Sequence, residues 1–192
     1  MRILVVGAGG VGASMASIAE TRDFFESFVL ADLSIETAQA AIDALDDPGK
    51  FVAERVDASV PDQLVALIEK VKADVIVNAC DPRLNPQIFE AAFRAKCNYI
   101  DMAMNLSTPH PTDPYHKIGK MLGADQLSDD EKWRDRGILA LIGMGVEPGL
   151  SNVFARYAAD YIFDEIHEIG VRDGSNLSID GYDFAPTFSI WT

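Results

Sequence analysis

The sequence predicts an α/β fold, a doubly wound Rossmann-type parallel sheet, followed by the start of a truncated second α/β domain. Six short apolar runs alternate with helix-like segments, and parallel neighbouring strands require such crossover connections. The first run leads directly into a glycine-rich turn. With 192 residues, 48% of them hydrophobic, the chain can bury one sizeable core plus a little more. We expect residues 1–161 to form the sheet domain and residues 162–192 to begin the second domain.

The first third of the chain contains three predicted strands. Met1–Val6 is β-rich and apolar, which is typical of a strand buried on both faces. Ser27–Asp32 is a second apolar strand, and Ser34 after it is placed to cap a helix over Ile35–Leu45. Phe51–Asp57 alternates like a shorter, partly exposed strand. The first two strands belong to the first βαβ unit, and Phe51–Asp57 adds a third strand.

The middle of the chain repeats this alternation. Ser59–Asp62 has a capping-box pattern with proline in the first turn, so a helix is predicted to start there. Asp74–Ala79 is the fourth strand, a helix with an apolar face covers Pro86–Lys96, and Asn98–Met102 is the fifth strand.

The last third is less regular. Ser107–Gly123 holds three prolines and is long enough to suggest a functional loop. A helix over Ser128–Arg136 and a sixth strand over Ile138–Ile142 follow, and then a helix over Leu150–Tyr161 with one apolar side. Phe184–Thr192 is apolar and strand-like, which we interpret as the chain stopping within the second domain, although a natively paired terminal strand remains an alternative.

The composition argues against several classes of function. The net charge of −14 argues against nucleic acid and anionic membrane surfaces as partners, because binding to either depends on clustered cations. No secretory or membrane-spanning segment is visible. Cys80 and Cys97 are isolated, and the three histidines have no metal-ligand spacing, so we expect a reduced, cytoplasmic protein without a metal site.

The glycine-rich turn carries the clearest chemical signal. Residues 7–12 read Gly-Ala-Gly-Gly-Val-Gly and match the dinucleotide fingerprint in its required place, after a strand and at the start of a helix. The three fingerprint glycines serve the tight turn, the approach to a pyrophosphate and the packing of helix on strand. The helix start offers free N–H groups to phosphates. The predicted pyrophosphate site is Gly7, Gly9, Gly10, Val11 and Gly12.

The acidic residue at the end of the second strand favours NAD. Asp32 lies twenty positions after the last fingerprint glycine, where a carboxylate accepts hydrogen bonds from the adenosine ribose. The next residues, Leu33 and Ser34, supply no cation for the 2′-phosphate of NADP. We therefore expect NAD as the cofactor and keep NADP as possible.

Other candidates follow from their position at the carboxyl ends of the strands, which line the ligand crevice of such sheets. Asn78 can hydrogen-bond to ribose or nicotinamide. Cys80 is expected to be a packing residue rather than a nucleophile. Asp101 is a candidate general acid or base, with a structural carboxylate as the alternative, and Tyr99 is expected to point to the opposite face. The remaining positional candidates are Asp57, Ala58, Ala79, Met102 and Met144.

Three segments together resemble one enzyme family. The opening GAGGVG, the fifth strand NYIDM and the stretch GMGVEPGLSN at residues 143–152 are similar to the saccharopine dehydrogenase family. The resemblance implies that Glu147 and Pro148 lie beside the nicotinamide, which makes Glu147 the second candidate catalytic residue after Asp101. It implies as well that Gly149 and Asn152 face the substrate. It also implies that residues after 161 enter a substrate and dimerisation domain, and that family chains are about twice as long as this one.

The resemblance further implies the reaction, a hydride transfer between a nicotinamide and a carbon bearing a secondary amine, in an amino acid or polyamine. Such substrates carry carboxylates, for which Arg83 and Arg172 are the nearest cations to the predicted crevice, with ordinary solvated charges as the alternative for both. Several family members resemble NADP enzymes with arginine after strand two, unlike the Asp32 segment here. The parent is expected to be a homodimeric enzyme, and this chain to bind cofactor without turnover. A non-catalytic NAD sensor or scaffold is the alternative.

Overall fold

The computed structural model describes residues 1–172, 180 and 181. Its centre is a six-stranded parallel sheet with the strand order β3-β2-β1-β4-β5-β6. The order reverses between β1 and β4, as in a doubly wound sheet. The predicted Rossmann-type parallel sheet is confirmed, and the second domain stays a prediction. The strands are β1 (Arg2–Val6), β2 (Ser27–Asp32), β3 (Phe51–Arg55), β4 (Val75–Asn78), β5 (Asn98–Asp101) and β6 (Ala140–Leu141).

Helices cover both faces of the sheet. Single 3₁₀ turns at Pro48–Lys50 and Pro82–Leu84 join some of them to the strands. The last helix has the bounds predicted from its sequence. The helices are α1 (Gly10–Glu20), α2 (Ile35–Asp43), α3 (Pro61–Val71), α4 (Asn85–Arg94), α5 (Ala124–Ser128), α6 (Asp130–Asp135) and α7 (Leu150–Tyr161).

Two apolar cores follow from the alternation of side chains along the strands. Leu4 and Val6 of β1 belong to the core formed with α3 and α4, whereas Ile3 and Val5 belong to the core formed with α1 and α2. Both cores are closed by aromatic side chains, of which Trp133 packs against Phe89 with ring centroids 4.6 Å apart. A sheet that is buried on both faces explains the continuous apolar runs of its strands.

Local details differ from the expectations at two places. Helix α3 begins at Pro61 without a side-chain cap, because the Ser59 hydroxyl donates to Asp57 (2.6 Å) instead. The predicted capping box is therefore wrong. The helix expected over Ser128–Arg136 is present as α6, and a second short helix, α5, which the sequence did not predict, precedes it and ends at Ser128. The predicted strand at Phe184–Thr192 lies outside the described residues.

The long proline-rich segment forms a loop that is closed at its base. Thr108 and Lys120 exchange backbone hydrogen bonds of 3.0 and 2.8 Å. Gly119 lies beside this bridge, where a Cβ would come within 2.0 Å of the Thr108 carbonyl oxygen. In the part of the chain that the structure describes, no helix has both the length and the apolarity needed to cross a bilayer.

Candidate cofactor site

The turn between β1 and α1 has the geometry that its glycines predict. Gly7 has φ +104°, and a Cβ there would lie 2.7 Å from the Ala79 carbonyl oxygen. At Gly12 a Cβ would lie 1.9 Å from the Gly7 carbonyl oxygen, so helix and turn pack too closely for any side chain. Added to Gly9 or Gly10, a Cβ meets nothing within 4 Å. The turn is closed on the protein side and open on its outer side, as a phosphate cradle requires.

The start of α1 supplies donors to this open side. Gly9 is the N-cap and has no side chain to satisfy the first backbone N–H groups of the helix. Gly9, Gly10 and Val11 are all exposed. A helix of 11 residues with unsatisfied N–H groups and a partial positive charge at its start suits a pyrophosphate.

Asp32 holds the turn in place. One carboxylate oxygen accepts a hydrogen bond from the Ala8 backbone N–H (2.8 Å), and the other accepts one from Ser34 (3.1 Å). Each carboxylate oxygen has a further lone pair, so Asp32 can still accept from the hydroxyls of a ribose. Its position at the end of β2 is the one predicted from the spacing.

A cleft of about 280 Å³ opens in front of this turn, at the carboxyl ends of the strands. It contains most of the residues that the sequence predicted for cofactor binding. Sequence reasoning missed several others, although each is a chain neighbour of a predicted residue. The predicted lining residues are Gly7, Gly9, Asp32, Asp57, Ala58, Ala79 and Cys80, and the missed ones are Val6, Leu33, Val56, Asp81 and Leu84.

The ionisable groups of the cleft differ in their protonation. Hydrogen bonds from Ser59 lower the pKa of Asp57, and the Arg83 guanidinium lowers the pKa of Asp81 to about 2, so both stay ionised. Burial raises the pKa of the Cys80 thiol to about 11, and the nearby Asp32 and Asp81 add to this shift. The thiol donates to the Val6 carbonyl oxygen (3.3 Å). A neutral, partly buried thiol fits the packing role expected of Cys80.

Asp101 lies under the surface rather than in the cleft. Its side chain is 1% exposed and accepts three hydrogen bonds, from the Gly143 backbone N–H (2.6 Å), Gln126 (2.7 Å) and the Tyr99 hydroxyl (3.0 Å). Burial raises its pKa, against the effect of these donors. This enclosure favours the structural carboxylate that was the alternative for this position, and a role for Asp101 as a general acid or base stays a prediction.

Tyr99 shares a face of β5 with Asp101, so the expectation of opposite faces was wrong. Side chains two residues apart on a strand point to the same side. The Tyr99 hydroxyl also accepts a hydrogen bond from the Asn78 amide (3.2 Å), which in turn donates to Asn85 (2.6 Å). We call these side chains the buried polar cluster, which consists of Asn78, Asn85, Tyr99, Asp101 and Gln126.

Asn78 belongs to this cluster and is absent from the cleft lining. Its amide hydrogens are engaged by Asn85 and Tyr99, and its oxygen accepts from the Cys80 backbone N–H (3.0 Å). The donor that was expected to meet ribose or nicotinamide is thus already used inside the protein. Asn78 instead fixes the backbone of Cys80, which does line the cleft.

The comparisons with known proteins identify the family. The model of the saccharopine dehydrogenase NADP-binding domain matches residues 3–141 of this chain. The chain belongs to the saccharopine dehydrogenase family. The resemblance inferred from the sequence is confirmed, and the cofactor is a nicotinamide adenine dinucleotide. The preference for NAD over NADP stays a prediction.

The chain is also similar to individual proteins. Carboxynorspermidine synthase of Vibrio cholerae is 34% identical over 98% of this chain, and carboxyaminopropylagmatine dehydrogenase of Synechocystis is 29% identical over 98%. The chain spans 46% and 45% of these two proteins, about half their length. Saccharopine dehydrogenase of Saccharomyces cerevisiae shares the fold, with a TM-score of 0.62 at 18% identity over 84% of this chain and 31% of that one.

The segment that follows β6 forms a compact turn beside β5. The Met144 backbone N–H donates to the Asp101 carbonyl oxygen (2.8 Å), and a Cβ on Gly145 would come within 2.5 Å of the Met102 carbonyl oxygen. Pro148 packs near Gly143. Met102 and Pro148 therefore lie at this turn, outside the cleft lining. We call residues 143–149 the Gly143–Gly149 turn.

The predicted catalytic and substrate residues of the turn have different surroundings. Glu147 is exposed. Gly149 is buried with φ +132°, and its N–H donates to the Asn152 side chain (3.0 Å), so these two residues start α7. Arg172 is exposed, and the structure does not bring it into the cleft lining.

Arg83 lies in the 3₁₀ turn at one edge of the cleft. Its guanidinium binds both oxygens of Asp81, each at 2.8 Å, and is exposed. Among residues 1–172, 180 and 181, no group of three or more His, Cys, Asp or Glu side chains is arranged to hold a metal ion.

Proposed function

We propose that this chain is the cofactor-binding part of an NAD(P)-dependent oxidoreductase of the saccharopine dehydrogenase type. The parent enzyme transfers hydride between the nicotinamide and the carbon of a carbon–nitrogen bond in a secondary-amine amino acid or polyamine. The glycine turn carries the proposal. Its inner glycines admit no Cβ, and its outer glycines are open beside the cleft, within a domain that matches the family over residues 3–141.

The substrate class is supported by the names of two relatives. One is a carboxynorspermidine synthase and the other a carboxyaminopropylagmatine dehydrogenase, both named for carboxylated amines. The alignment with each of these two relatives covers 98% of this chain.

The roles of the cofactor residues follow from their places. The turn and the start of α1, residues 7–12, hold the pyrophosphate, and Asp32 accepts from the adenosine ribose. Asp57, Ala58, Ala79 and Cys80 form the wall and floor of the cleft. Met102 and Pro148 support the Gly143–Gly149 turn on the nicotinamide side. When bound, the cofactor supplies or accepts the hydride.

Of the two carboxylates considered for proton transfer, Glu147 is retained. It is exposed on the Gly143–Gly149 turn, whereas Asp101 is enclosed by its three donors. Arg172 is an exposed cation that suits a substrate carboxylate, and Arg83, also exposed, would have to exchange its pairing with Asp81 for one with the substrate. Gly149 and Asn152 position the turn from which Glu147 projects.

The parent contains a second domain after residue 161, which binds substrate and forms a homodimer. Helix α7 supports this, because it presents an apolar face with nothing against it in the part of the chain described. Phe154, Tyr157 and Tyr161 are 64%, 57% and 75% exposed. Both cysteines are free thiols, which supports a reducing compartment such as the cytoplasm.

Two measurements test the proposal. Calorimetric titration of this chain with NAD⁺ and NADP⁺ is expected to show binding of at least one of them, without turnover. The full-length parent, given NAD(P)⁺ and a panel of secondary-amine amino acids and carboxylated polyamines, is expected to change the nicotinamide absorbance.

Controls separate the parts of the proposal. In the full-length parent, Glu147→Gln is expected to lower kcat while cofactor affinity is retained. An absence of cofactor binding contradicts the whole proposal. Binding without turnover over the entire panel contradicts the enzymatic part and favours an NAD sensor or scaffold.

A further inference from the structure

An arginine that is distant in sequence lies beside the ribose-binding end of β2. Strands β2 and β3 pair in parallel register, with Asp32 opposite Arg55. The Arg55 Nε donates to the Leu33 carbonyl oxygen (3.1 Å), which holds the guanidinium over the segment that follows Asp32. The residues that follow Asp32 in the chain, Leu33 and Ser34, carry no charge, so it is the pairing of β2 with β3 that brings a cation to this segment.

The Arg55 guanidinium is available to an anion. It is exposed, and no carboxylate of the described residues lies within ion-pair distance of it. Its hydrogen bond to Leu33 uses only Nε, so the N–H groups of both terminal nitrogens are left for a ligand. Other arginines of this acidic chain are paired with carboxylates, namely Arg2, Arg83, Arg94, Arg134 and Arg156.

The charges around Arg55 are mixed. The guanidinium contributes to the lowered pKa values of Glu36 and Asp57, although hydrogen bonds are the larger cause for both. Asp32 is held by two backbone N–H groups. A free 2′-hydroxyl can donate to Asp32, whereas a 2′-phosphate is repelled by that carboxylate and attracted by a planar guanidinium, which binds phosphate oxygens in pairs.

We propose that Arg55 is the specificity-determining residue that lets this site accept the 2′-phosphate of NADP, in opposition to Asp32, which favours the 2′-hydroxyl of NAD. The inference rests on the proposed cofactor function. It explains how a chain with an acidic residue at the end of β2 belongs to a family whose domain is described as NADP-binding. The two cofactors differ chemically only in the 2′-phosphate, so the change in their affinity ratio when Arg55 is substituted isolates the contribution of Arg55.

The test is calorimetric titration of the 192-residue chain with NAD⁺ and with NADP⁺ at one fixed salt concentration. Arg55→Ala is expected to weaken NADP⁺ binding about tenfold or more, because a charge-assisted bidentate contact is lost, and to leave NAD⁺ binding within about twofold. Arg55→Lys is expected to lie between the wild type and Arg55→Ala. Arg22→Ala removes one exposed arginine beyond the far end of α1 and serves as the control with the same change in net charge.

The outcomes are distinct. A selective loss of NADP⁺ affinity in Arg55→Ala, absent in Arg22→Ala, supports the inference. Equal weakening of both cofactors, unchanged NADP⁺ binding, or a wild-type chain that binds NAD⁺ but not NADP⁺ overturns it while the proposed function stands. A wild-type chain that binds neither cofactor overturns the proposed function itself.

Discussion

Two glycines of the same turn are expected to respond to alanine in opposite ways. At Gly12 a Cβ would lie 1.9 Å from the Gly7 carbonyl oxygen and 3.4 Å from Leu30 Cδ1. Carbon contacts normally settle at about 3.5–4.0 Å, so helix α1 and the turn must separate by more than about 1 Å. Replacing glycine by alanine inside a helix normally stabilises the protein by about 0.5–1 kcal/mol. Overpacking, in contrast, destabilises it by about 1–3 kcal/mol or more. The cost here is expected to be high because the added Cβ clashes with rigid backbone.

The expected net effect of Gly12→Ala is a loss of about 2 kcal/mol in the free energy of unfolding. This value is the upper part of the overpacking cost minus the stabilisation that alanine gives to the helix. For a chain of this size, that lowers the melting temperature by about 4–8 °C. Gly9→Ala is the matched variant. Its Cβ meets nothing within 4 Å, and its φ of −67° suits any residue, so we expect a stability change within about 0.5 kcal/mol.

The same variants are expected to separate stability from cofactor binding. The Gly9 Cβ projects into the space that a pyrophosphate approaches, so Gly9→Ala is expected to weaken NAD⁺ or NADP⁺ about tenfold, which is 1.4 kcal/mol. Thermal unfolding followed by circular dichroism measures the first effect, and calorimetric titration the second. A Gly12→Ala variant that melts with the wild type, or a Gly9→Ala variant that binds cofactor normally, would refute this account of the turn.

Three further substitutions test other parts of the structure. Tyr99→Phe removes one donor to Asp101 and leaves the ring packing in place. It is expected to cost about 1.5–3 kcal/mol in chemical unfolding, and no loss would mean that this hydrogen bond is unimportant. Asp101→Asn tests the raised pKa of the buried carboxylate. Because the folded state binds the proton more tightly, Asp101 lowers stability as the pH rises from its unfolded pKa through its folded pKa. The variant is therefore expected to gain stability relative to the wild type over that range, and a pH-independent difference would contradict this sign. Ser34→Ala removes the hydroxyl that caps α2 through the Thr37 N–H (3.1 Å). It is expected to cost about 1 kcal/mol in the same unfolding assay, with Ser34→Asn nearly neutral, and equal losses in both variants would argue against capping.

The fold could be predicted from the sequence because its signals are local and repeated. The apolar runs of β1, β2 and β4 reflect burial on both faces, and the observed β2 has the predicted bounds. The predicted capping box was wrong because two nearby partners compete for the Ser59 hydroxyl. Ser59 had both a helix start and the Asp57 carboxylate within reach, and the structure shows that the carboxylate binds it.

The candidate site could be predicted only in part, for the reason that its remaining contacts are long-range. The glycine turn and Asp32 can be recognised in the sequence because a characteristic number of residues separates them. The neighbour of Asp32 that matters for charge, Arg55, is brought there by strand register rather than by chain order. Likewise, Gln126 and Gly143 enclose Asp101 from 25 and 42 residues away, so nothing near Asp101 in the sequence indicated its burial.

The enclosure of Asp101 also explains why this position needs a carboxylate. Three donors converge on it from three separate elements, Tyr99 on β5, Gln126 on α5 and the Gly143 backbone after β6. An ionised carboxylate accepts from all three, whereas an amide offers one acceptor oxygen and adds two donors. The Asp101 backbone carbonyl meanwhile holds Met144. The residue thus fixes the start of the Gly143–Gly149 turn to the sheet through both its side chain and its backbone, and the three hydrogen bonds offset part of the cost of burying its charge.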